Sequence, residues 1–377
     1  MADQFPHAAR AALLASPDGE FSLEPIHLCD PRENEIRVRM EACGVCHTDA
    51  ICKHVVPTPS ILGHEGVGIV TELGPGVTGL AFGDRVVLAY PFCGTCAACR
   101  RNEPYHCKHN AVLSFSGRRL DGSTPACGEM GEINAAFFQQ SAFSTEVIVP
   151  ANIAVCVDKD IPAEILAAFP CGISTGAGAV LNSLSVGKGD AILIFGTGAV
   201  GLAAVMAAKL AGADPIIAVD INIERLSLAL RLGATHTFNG SDPSPSLKEK
   251  IFEIMPDGAP HILDTSAARP VWSVALECVS PGGTFGFVSV PEPMEKYSIK
   301  PLSLMFRAAS MKAIIQGNAV SAEFIPCLIN WYREGKLPVD KLVKTYPLSA
   351  INQAFADSKD GTVIKPVILF DKEQSTT

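Results

Sequence analysis

The sequence predicts an α/β protein built from a β-rich domain and a doubly wound parallel sheet. Two observations lead to this prediction. Up to about residue 172, short apolar runs such as EIRVRMEACGV, GVGIVTELGPGV and DRVVLAY recur between glycine and proline turn signals, as in an irregular β-rich domain. Beyond that point, apolar strands alternate with helical segments, which is typical of parallel βαβ units.

The second region opens with a run of small residues, GISTGAGAVLNSLSV, that we expect to form a helix. Strands are expected at AILIFG, PIIAVD, HTFNG, HILDTS and GTFGFVSV. Helices are expected at TGAVGLAAVMAAKLAGA, ERLSLALRLGA and SLKEKIFEIM. We place this α/β domain at residues 173–315. The helices FIPCLINWYREGKL and INQAFADSKDG and the strand VIKPVILF then return to the β-rich domain, which takes residues 1–172 and 316–377.

Composition and charge disfavour several classes of function. Hydrophobic residues make up 48% of the 377 residues and charged residues 18%, the balance of a globular protein with a large core. The net charge of −9 disfavours a nucleic-acid partner, because an acidic protein is repelled by phosphate backbones. The N-terminal segment lacks the pattern of a signal peptide, and no uninterrupted apolar run reaches the roughly 18 residues of a membrane helix. We therefore expect no membrane partner.

The 13 cysteines are many, and their number is odd. A secreted disulfide framework favours an even count, a short chain and a signal peptide, and the sequence has none of these features. We therefore expect reduced thiols in the cytoplasm, where clustered thiols are more often metal ligands or catalytic groups than disulfides.

A glycine-rich turn lies between the strand AILIF and the helix that follows it. Gly196, Gly198 and Gly201 form the pattern G-x-G-x-x-G in the strand–turn–helix setting of a dinucleotide site. They permit a tight turn, close approach of a pyrophosphate and close helix packing, and the helix N-terminus attracts the phosphates. Asp220 has the position of an acid that binds the adenosine ribose, which favours NAD over NADP. Arg225, five residues further on, is also a candidate cofactor-binding residue, although an arginine there favours NAD over NADP less clearly. The alternative is a glycine-bounded turn with an unrelated surface aspartate.

Four closely spaced cysteines, Cys93, Cys96, Cys99 and Cys107, follow the pattern C-x2-C-x2-C-x7-C. Four thiolates can surround one tetrahedral zinc ion and leave no open position, which predicts a structural site. An iron–sulfur run starts with a related spacing but ends in x3 and proline, whereas Lys108 follows the last cysteine here. The remaining alternatives are a nucleic-acid zinc module, which the acidic charge disfavours, and a chance cluster of free cysteines.

A second set of candidate ligands is scattered along the chain. Cys46, His64 and Cys171 could supply two thiolates and one imidazole, which together with water make the open coordination of a catalytic zinc. Each cysteine by itself is equally compatible with a small core residue. Cys43 and Cys46 also form a C-x-x-C pair with the spacing of a redox motif, and this spacing does not decide which of the two is a ligand.

Several motifs resemble those of the zinc-dependent medium-chain alcohol dehydrogenases over essentially the whole chain. They are CGVCHTD, GHEGVGIV, the four-cysteine run, CGISTGAGA, GTGAVG and AVDIN. The resemblance implies a GroES-like catalytic domain at 1–172 and 316–377 and a Rossmann domain at 173–315. It is closest to the aryl and allylic alcohol dehydrogenases, typified by benzyl alcohol dehydrogenases. The stretch between Asp49 and Gly63 is shorter than in the glutathione-dependent formaldehyde dehydrogenases.

The resemblance assigns residues to two zinc sites. It implies that Cys46, His64 and Cys171 bind a catalytic zinc. Glu65 would lie close behind this zinc, and Asp49 would orient the histidine through its other ring nitrogen. The four-cysteine run is implied to bind a second, structural zinc. The expected cofactors are therefore two Zn²⁺ ions per chain and NAD.

The resemblance also implies the chemistry of an alcohol oxidation. Zinc would lower the pKa of the alcohol oxygen, Thr48 would hydrogen-bond to that oxygen, and hydride would pass to the nicotinamide. Where many members have a histidine as proton exit, this chain has Ile51, which cannot carry a proton. His47 resembles a residue that contacts the cofactor pyrophosphate, and it is a hypothetical proton acceptor. His54 is another candidate, although its position fits a surface loop better.

Two further residues are implied to bind the cofactor. Thr175 lies in the CGISTGAGA motif, and Lys365 matches a position that can approach the pyrophosphate, its alternative being a surface lysine. The expected substrate is a small alcohol or aldehyde, with the segment 115–143 shaping its pocket. Since members of the family form dimers or tetramers, we expect a homodimer or a homotetramer.

Other functions stay compatible with these patterns. An aldehyde reductase would use the same residues in the reverse direction, and a glutathione-dependent formaldehyde dehydrogenase shares several of the motifs. A zinc-stabilised nucleotide-binding protein without turnover would not need a complete set of catalytic residues, and a zinc-dependent nucleic-acid binder would need a basic surface. Metal content separates these functions, because a single zinc per chain would leave only the four-cysteine site.

Overall fold

The computed structural model describes residues 4–129, 131–242, 246–289 and 296–370. The chain divides into two compact units. The first unit contains Met1–Cys171, Val320–Asn330 and Val339–Thr377, and the second contains Gly172–Ala319 and Trp331–Pro338. The predicted domain limits stay predictions, and their outer ends, residues 1 and 377, lie outside the described residues.

The first unit is rich in β-strands, and strands are numbered here in chain order through both units. Its strands are β1 (His7–Leu14), β2 (Phe21–Leu28), β3 (Glu35–Gly44), β4 (Ser60–Ile61), β5 (Gly66–Leu73), β6 (Arg85–Leu88), β7 (Ala126–Gly128), β8 (Gly131–Ile133), β9 (Glu146–Pro150), β10 (Ala154–Val157), β17 (Val343–Pro347) and β18 (Lys365–Leu369). One sheet has the order β4-β1-β2-β7-β8. The other has the order β10-β6-β5-β3-β18-β17, with β9 paired to β3. The β-rich character predicted for this region is confirmed.

The strand β3 shows why this region folds as a sheet. Ile36, Val38 and Met40 are buried, whereas Arg37 and Arg39 between them are half-buried, because successive side chains of a strand face opposite sides. The buried side chains join a core that includes several fully buried aromatic and aliphatic residues. This core anchors the end of β3, where the functional residues begin.

The second unit contains a six-stranded parallel sheet in the order β13-β12-β11-β14-β15-β16. Its strands are β11 (Ile192–Phe195), β12 (Ile216–Asp220), β13 (His236–Asn239), β14 (Ala259–Asp264), β15 (Val279–Phe287) and β16 (Ser310–Ala313). The order reverses direction between β11 and β14, which is the switch point of a doubly wound fold. The predicted Rossmann arrangement is therefore confirmed.

The helices range in length from four to 13 residues. They are α1 (His47–Cys52), α2 (Ala97–Arg100), α3 (Asn110–Phe115), α4 (Ala163–Leu166), α5 (Ser174–Gly178), α6 (Ala199–Ala211), α7 (Ile223–Leu232), α8 (Leu247–Ile254), α9 (Arg269–Cys278), α10 (Pro301–Arg307), α11 (Ser321–Arg333) and α12 (Ile351–Lys359). Sequence patterns did not indicate α9, α10 or β16. The helix α10 has no buried residue, and its apolar side chains Leu302, Met305 and Phe306 are exposed.

One apolar helix continues where glycine and proline were expected to break the run. It extends over Ala163–Ser183 and passes through Pro170. Two stretches, Phe169–Ile173 and Ala179–Ser183, are π-helical, and a widened turn accommodates a proline that has no N–H to donate. Among the described residues this is the one helix long and apolar enough to cross a membrane. Since 83% of its apolar window is buried inside the protein, it resembles a core helix.

Candidate functional site

The fold brings together residues that are far apart in the sequence. The ligand atoms of Cys46, His64, Glu65 and Cys171 all lie within 4.8 Å of one another. The two sulfur atoms, Cys46 Sγ and Cys171 Sγ, are 4.0 Å apart. We call these residues the dispersed cluster. It contains all three residues expected to bind a catalytic zinc.

The three expected zinc ligands of the dispersed cluster come from three different parts of the chain. Cys46 directly precedes α1, His64 lies just before β5, and Cys171 lies in the π-helical stretch Phe169–Ile173. A π-helical turn holds an extra residue, which changes the direction of the side chains around it, and such turns are frequent at functional sites. Three elements therefore have to fold correctly before the cluster exists.

Asp49 fixes the imidazole of this cluster. His64 Nδ1 lies 2.9 Å from Asp49 Oδ1, and both side chains are buried. The same carboxylate accepts the backbone N–H of Cys46 at 2.9 Å and that of Gly63 at 3.2 Å. The aspartate thus ties the histidine to the cysteine, in the position expected for a residue that orients a metal-binding imidazole.

The other ring nitrogen of His64 has the character of a metal ligand. Nε2 is buried and has no hydrogen-bond partner among the described residues. A buried polar atom without a partner is costly, and a zinc ion shared with the sulfur atoms of Cys46 and Cys171 would satisfy it. Cys43, the other candidate of the C-x-x-C pair, is fully buried in the apolar core instead. The residues present therefore fit a zinc ion.

The four-cysteine run forms a second, local cluster, which we call the cysteine cluster. Its sulfur atoms all lie within 4.8 Å of one another. Sγ of Cys99 lies 3.9 Å from that of Cys93 and 3.5 Å from that of Cys96. The backbone N–H of Cys93 donates to Cys107 Sγ at 3.3 Å. Among the described residues no further histidine, cysteine, aspartate or glutamate joins this group, and four sulfur atoms alone suit a closed tetrahedral zinc site.

In the second unit, the glycine-rich turn follows β11 and opens α6. Gly196 has a φ of +87°, which a residue with a side chain rarely adopts. A Cβ on Gly201 would lie 1.9 Å from the carbonyl oxygen of Gly196, so the helix can start here only without a side chain. A Cβ on Gly198 would meet nothing within 4 Å. The packing of the chain itself therefore does not require a glycine at position 198. A residue without a side chain there agrees with a backbone that a ligand can approach closely.

Asp220 lies at the end of β12, where its carboxylate holds the glycine turn. It accepts the backbone N–H of Thr197 at 2.6 Å and the hydroxyl of the same residue at 2.8 Å. It also accepts the backbone N–H of Asn222 at 2.9 Å. Of the other expected cofactor residues, Arg225 lies on α7 and Thr175 is buried in α5. The acid and the glycine turn are therefore neighbours, as the sequence predicts for a dinucleotide site.

Comparison with known proteins matches two parts of the chain to known domain families. Residues 32–159 match the family model of the alcohol dehydrogenase GroES-like domain, and residues 199–334 match that of the zinc-binding dehydrogenases. A geraniol dehydrogenase of Castellaniella defragrans is 39% identical over 368 residues, which cover 96% of this chain and 98% of that protein. This chain belongs to the zinc-dependent alcohol dehydrogenase family. The resemblance stated from the motifs is confirmed.

Two solved structures of similar proteins support the assignment of this chain to the family. An alcohol dehydrogenase zinc-binding domain protein from Burkholderia ambifaria is 41% identical, with a TM-score of 0.93 over 97% of this chain and 99% of that one. A benzyl alcohol dehydrogenase from Acinetobacter calcoaceticus is 36% identical, with a TM-score of 0.92 over the same shares of the two chains. Members of the family are zinc enzymes that use a nicotinamide cofactor, and this dehydrogenase is one of them.

The ionisation of the dispersed cluster favours a bound cation. A hydrogen bond from Cys171 lowers the pKa of Cys46 well below its usual value, and His64 lowers it further. The same hydrogen bond, together with burial, raises the pKa of Cys171 well above its usual value. Burial alone lowers the pKa of His64, but Asp49 raises it well above its usual value. The negative charge of Asp49, which raises this pKa, also stabilises a metal cation bound to the imidazole.

Behind the cluster, the dehydrogenase buries an ion pair between Glu65 and Lys365. Lys365 is only 2% exposed, so it is not the surface lysine considered as an alternative. Burial raises the pKa of Glu65 to about 7, although the charge of the lysine lowers it. A Cβ on Gly44 would lie 1.9 Å from Glu65 Oε2, so the carboxylate fits only beside a glycine. Sequence patterns indicated neither this pair nor the role of the glycine.

The residues considered for proton transfer lie on and after α1. His47 and Thr48 directly follow Cys46 in the chain. Thr48 is half-buried, and His47 is exposed to solvent. Ile51 is half-buried on the same helix. His54 is exposed and lies 3.9 Å from Asp18, which is more exposed still, as in the surface loop that was its alternative. Of these two exposed histidines, His47 lies nearer to Thr48 in the sequence.

Proposed function

We propose that this dehydrogenase oxidises primary aromatic or allylic alcohols to aldehydes in a reversible reaction, with NAD as the hydride acceptor. The observation that carries the proposal is the buried Nε2 of His64, which has no partner among the described residues and lies beside two cysteine sulfur atoms. The names of two relatives, geraniol dehydrogenase and benzyl alcohol dehydrogenase, support the substrate class, because geraniol is an allylic alcohol and benzyl alcohol an aromatic one.

In this proposal Cys46, His64 and Cys171 hold the catalytic zinc, and Glu65 lies behind it. A zinc ion with an open position lowers the pKa of an alcohol and stabilises the negative charge that develops on its oxygen. Asp49 holds the imidazole of the ligand His64 in place. The buried ion pair between Glu65 and Lys365 places charged groups behind the ligands. The cysteine cluster holds the second zinc and takes no part in the chemistry.

Proton movement is assigned to the start of α1. Thr48 accepts the hydroxyl proton of the alcohol in a hydrogen bond, and His47, which is exposed, releases a proton to water. Ile51, one turn after His47, cannot carry a proton. If His47 has this role, His47→Gln should lower the rate of hydride transfer and change the shape of its pH profile. An unchanged profile would remove His47 from the path.

The glycine turn and Asp220 form the proposed NAD site of the second unit. The pyrophosphate would lie at Gly198, next to the N-terminus of α6. Asp220, which already binds Thr197, would accept the ribose hydroxyl groups and repel the 2′-phosphate of NADP. The adjacent Ile221 is 73% exposed and offers an apolar surface for the adenine. We assign Arg225 and Thr175, which belong to the same unit, to the surroundings of the cofactor.

Asp220→Asn tests the cofactor assignment. It keeps an acceptor for the N–H of Thr197 but removes the charge. The change should lower kcat/KM for NAD by about tenfold or more and raise the ratio of NADP to NAD use, because hydrogen bonds to charged groups contribute roughly 1.5–3 kcal/mol. Activity of the unaltered enzyme with NADP alone would contradict the assignment.

We propose that the enzyme works in the cytoplasm as a homodimer or homotetramer. The 13 cysteines are free thiols, which suits a reducing compartment. The strand β16 ends the sheet of the second unit, and the neighbouring helix α10 has Met305 and Phe306 exposed by 75% and 84%. An exposed sheet edge and an apolar patch are suited to self-association. Light scattering after size-exclusion chromatography should give two or four chains, and a monomer would contradict the proposal.

The substrate class is tested by following NADH absorbance with benzyl, cinnamyl, geranyl and short aliphatic alcohols. The proposal predicts the highest kcat/KM among the first three. Activity confined to S-hydroxymethylglutathione would place the enzyme with the glutathione-dependent formaldehyde dehydrogenases. A chain that binds NAD and zinc but turns over none of these alcohols, nor the matching aldehydes with NADH, would be a binding protein rather than an enzyme.

A further inference from the structure

The segment Phe137–Ser141, which we call the FFQQS segment, has an unusual backbone. Phe138, Gln139 and Ser141 have φ values of +49°, +56° and +49°, in the left-handed region that residues other than glycine rarely adopt. Each such residue costs on the order of 1 kcal/mol or more, and clusters of them are found mainly at functional sites. Three of them within one short segment require strong support from the surroundings.

That support comes from side chains of the segment itself. Gln140 Nε2 donates to the carbonyl of Ala89 at 2.9 Å, while its Oε1 accepts the backbone N–H of Gly66 at 3.3 Å. The hydroxyl of Ser141 donates to the carbonyl of Ile61 at 2.6 Å. Gln139 Nε2 donates to three backbone carbonyls between 3.0 and 3.3 Å. All three polar side chains are at most 5% exposed, so these bonds are shielded from water.

Two of these bonds reach residues that flank His64. Ile61 lies before the histidine and Gly66 after it, and both are bonded by the segment. The chain just beyond the segment adds two backbone bonds, from the N–H of Ala142 to Gly63 and from that of Phe143 to Leu62. The strained segment is therefore tied to the same stretch of chain that carries the imidazole.

The consequence of this backbone is the position of one aromatic ring. Phe138 stacks on the imidazole of His64, with ring centroids 4.6 Å apart and an angle of 26° between the planes. Phe137 meets the same imidazole edge-on at 5.7 Å. Asp49 holds Nδ1 of the ring, so the imidazole is contacted on its face, its edge and one nitrogen. Only Nε2 is left to face the cysteine sulfur atoms.

We propose that Phe138 is a positioning residue of the catalytic site, and that the left-handed backbone of the FFQQS segment exists to place its ring on His64. The inference rests on the proposed function, in which this histidine is a zinc ligand. The ring blocks rotation of the imidazole about its Cβ–Cγ bond and keeps water from its face. Groups that orient a metal-binding histidine typically contribute 10–100-fold to metal affinity or activity, and Phe138 does so through packing rather than through a hydrogen bond.

Phe138→Leu tests the inference, with Phe115→Leu as its matched control. Phe115 packs edge-on against Phe138 at 5.6 Å and belongs to the same aromatic group, and no ring contact between it and His64 is seen. Chelator competition measures the affinity for Co²⁺ at each cluster of the full chain, and visible absorption reports the geometry at His64. The unfolding midpoint of each variant shows how much each substitution destabilises the fold.

We expect Phe138→Leu to weaken Co²⁺ binding at the dispersed cluster about 10-fold or more and to change its absorption bands. Binding at the cysteine cluster should stay as it is, Phe115→Leu should match the wild type, and Phe138→Tyr, which keeps the ring, should restore most of the affinity. Equal losses in the two leucine variants, or unchanged affinity and bands in Phe138→Leu, would overturn the inference alone. A wild-type chain that binds metal only at the cysteine cluster would overturn the proposed function as well.

Discussion

The two metal clusters of this dehydrogenase are built in opposite ways. The cysteine cluster takes its four sulfur atoms from one short stretch, Cys93 to Cys107, that lies around α2 and is partly exposed. The dispersed cluster draws on three separate elements and is held by buried groups such as Asp49 and Phe138. A local cluster forms when its own loop folds, whereas a dispersed cluster forms only when the whole unit has folded. Because of this difference, we assign a structural role to the cysteine cluster and the chemical reaction to the dispersed cluster.

The largest expected effect separates the two clusters by activity. His64→Gln removes the imidazole of the dispersed cluster. We expect kcat for benzyl alcohol to fall about a thousandfold or more, since a metal ion contributes several kcal/mol to charge stabilisation in the transition state. Metal at the cysteine cluster should be retained. The NADH assay together with metal analysis checks this, and near-normal kcat would assign the chemistry elsewhere.

The second effect is on stability rather than chemistry. Cys99→Ser removes one ligand of the cysteine cluster. Because metal binding at a structural site contributes directly to folding, we expect the free energy of unfolding to fall by several kcal/mol. The fraction that remains folded should keep its kcat. Denaturant unfolding and active-site titration measure the two quantities, and a loss of kcat without a loss of stability would reverse the roles of the clusters.

A smaller effect concerns the groups around the dispersed cluster. Asp49→Asn keeps an acceptor but removes the charge that faces the His64 imidazole. We expect the metal affinity of this cluster to fall about 10–100-fold, with no change at the cysteine cluster. Asp18→Asn is the matched control, because Asp18 has 95% of its side chain exposed and faces only the surface residue His54. An equal effect of both variants would show that general charge, rather than orientation, is responsible.

A further effect is a gradual dependence on pH. Zinc binds thiolates, and the neighbouring Cys46 together with burial holds the pKa of Cys171 well above its usual value. Metal binding at the dispersed cluster must therefore release a proton, so its affinity should fall as the pH is lowered, by about tenfold per pH unit for each proton released. Chelator competition between about pH 8 and about pH 6 measures this slope. An affinity independent of pH would mean that Cys171 is not a ligand.

The comparison also separates what the sequence predicts from what it does not. The cysteine cluster and the glycine turn follow from spacing, because all of their groups lie within one loop or one strand–turn–helix unit. The alternation of strands and helices likewise predicts the parallel sheet of the second unit. In each case the deciding contacts are local in the chain.

The dispersed cluster does not follow from local patterns. Spacing left Cys43 and Cys46 equivalent, and only the end of β3 decides that the first enters the core and the second faces His64. The pairing of Glu65 with Lys365 joins two distant segments, so no local pattern contains it. The stacking of Phe138 depends on a left-handed backbone that long-range hydrogen bonds impose against local preference.

The zinc content of the purified chain tests the distinction between the clusters most directly. It is measured by mass spectrometry on the wild type, on Cys46→Ser and on Cys99→Ser. Our account predicts two zinc ions in the wild type and one in each variant, with alcohol oxidation lost in Cys46→Ser and retained by the folded fraction of Cys99→Ser. A wild-type chain with a single zinc ion, or a Cys46→Ser variant that keeps two ions and full activity, would contradict it.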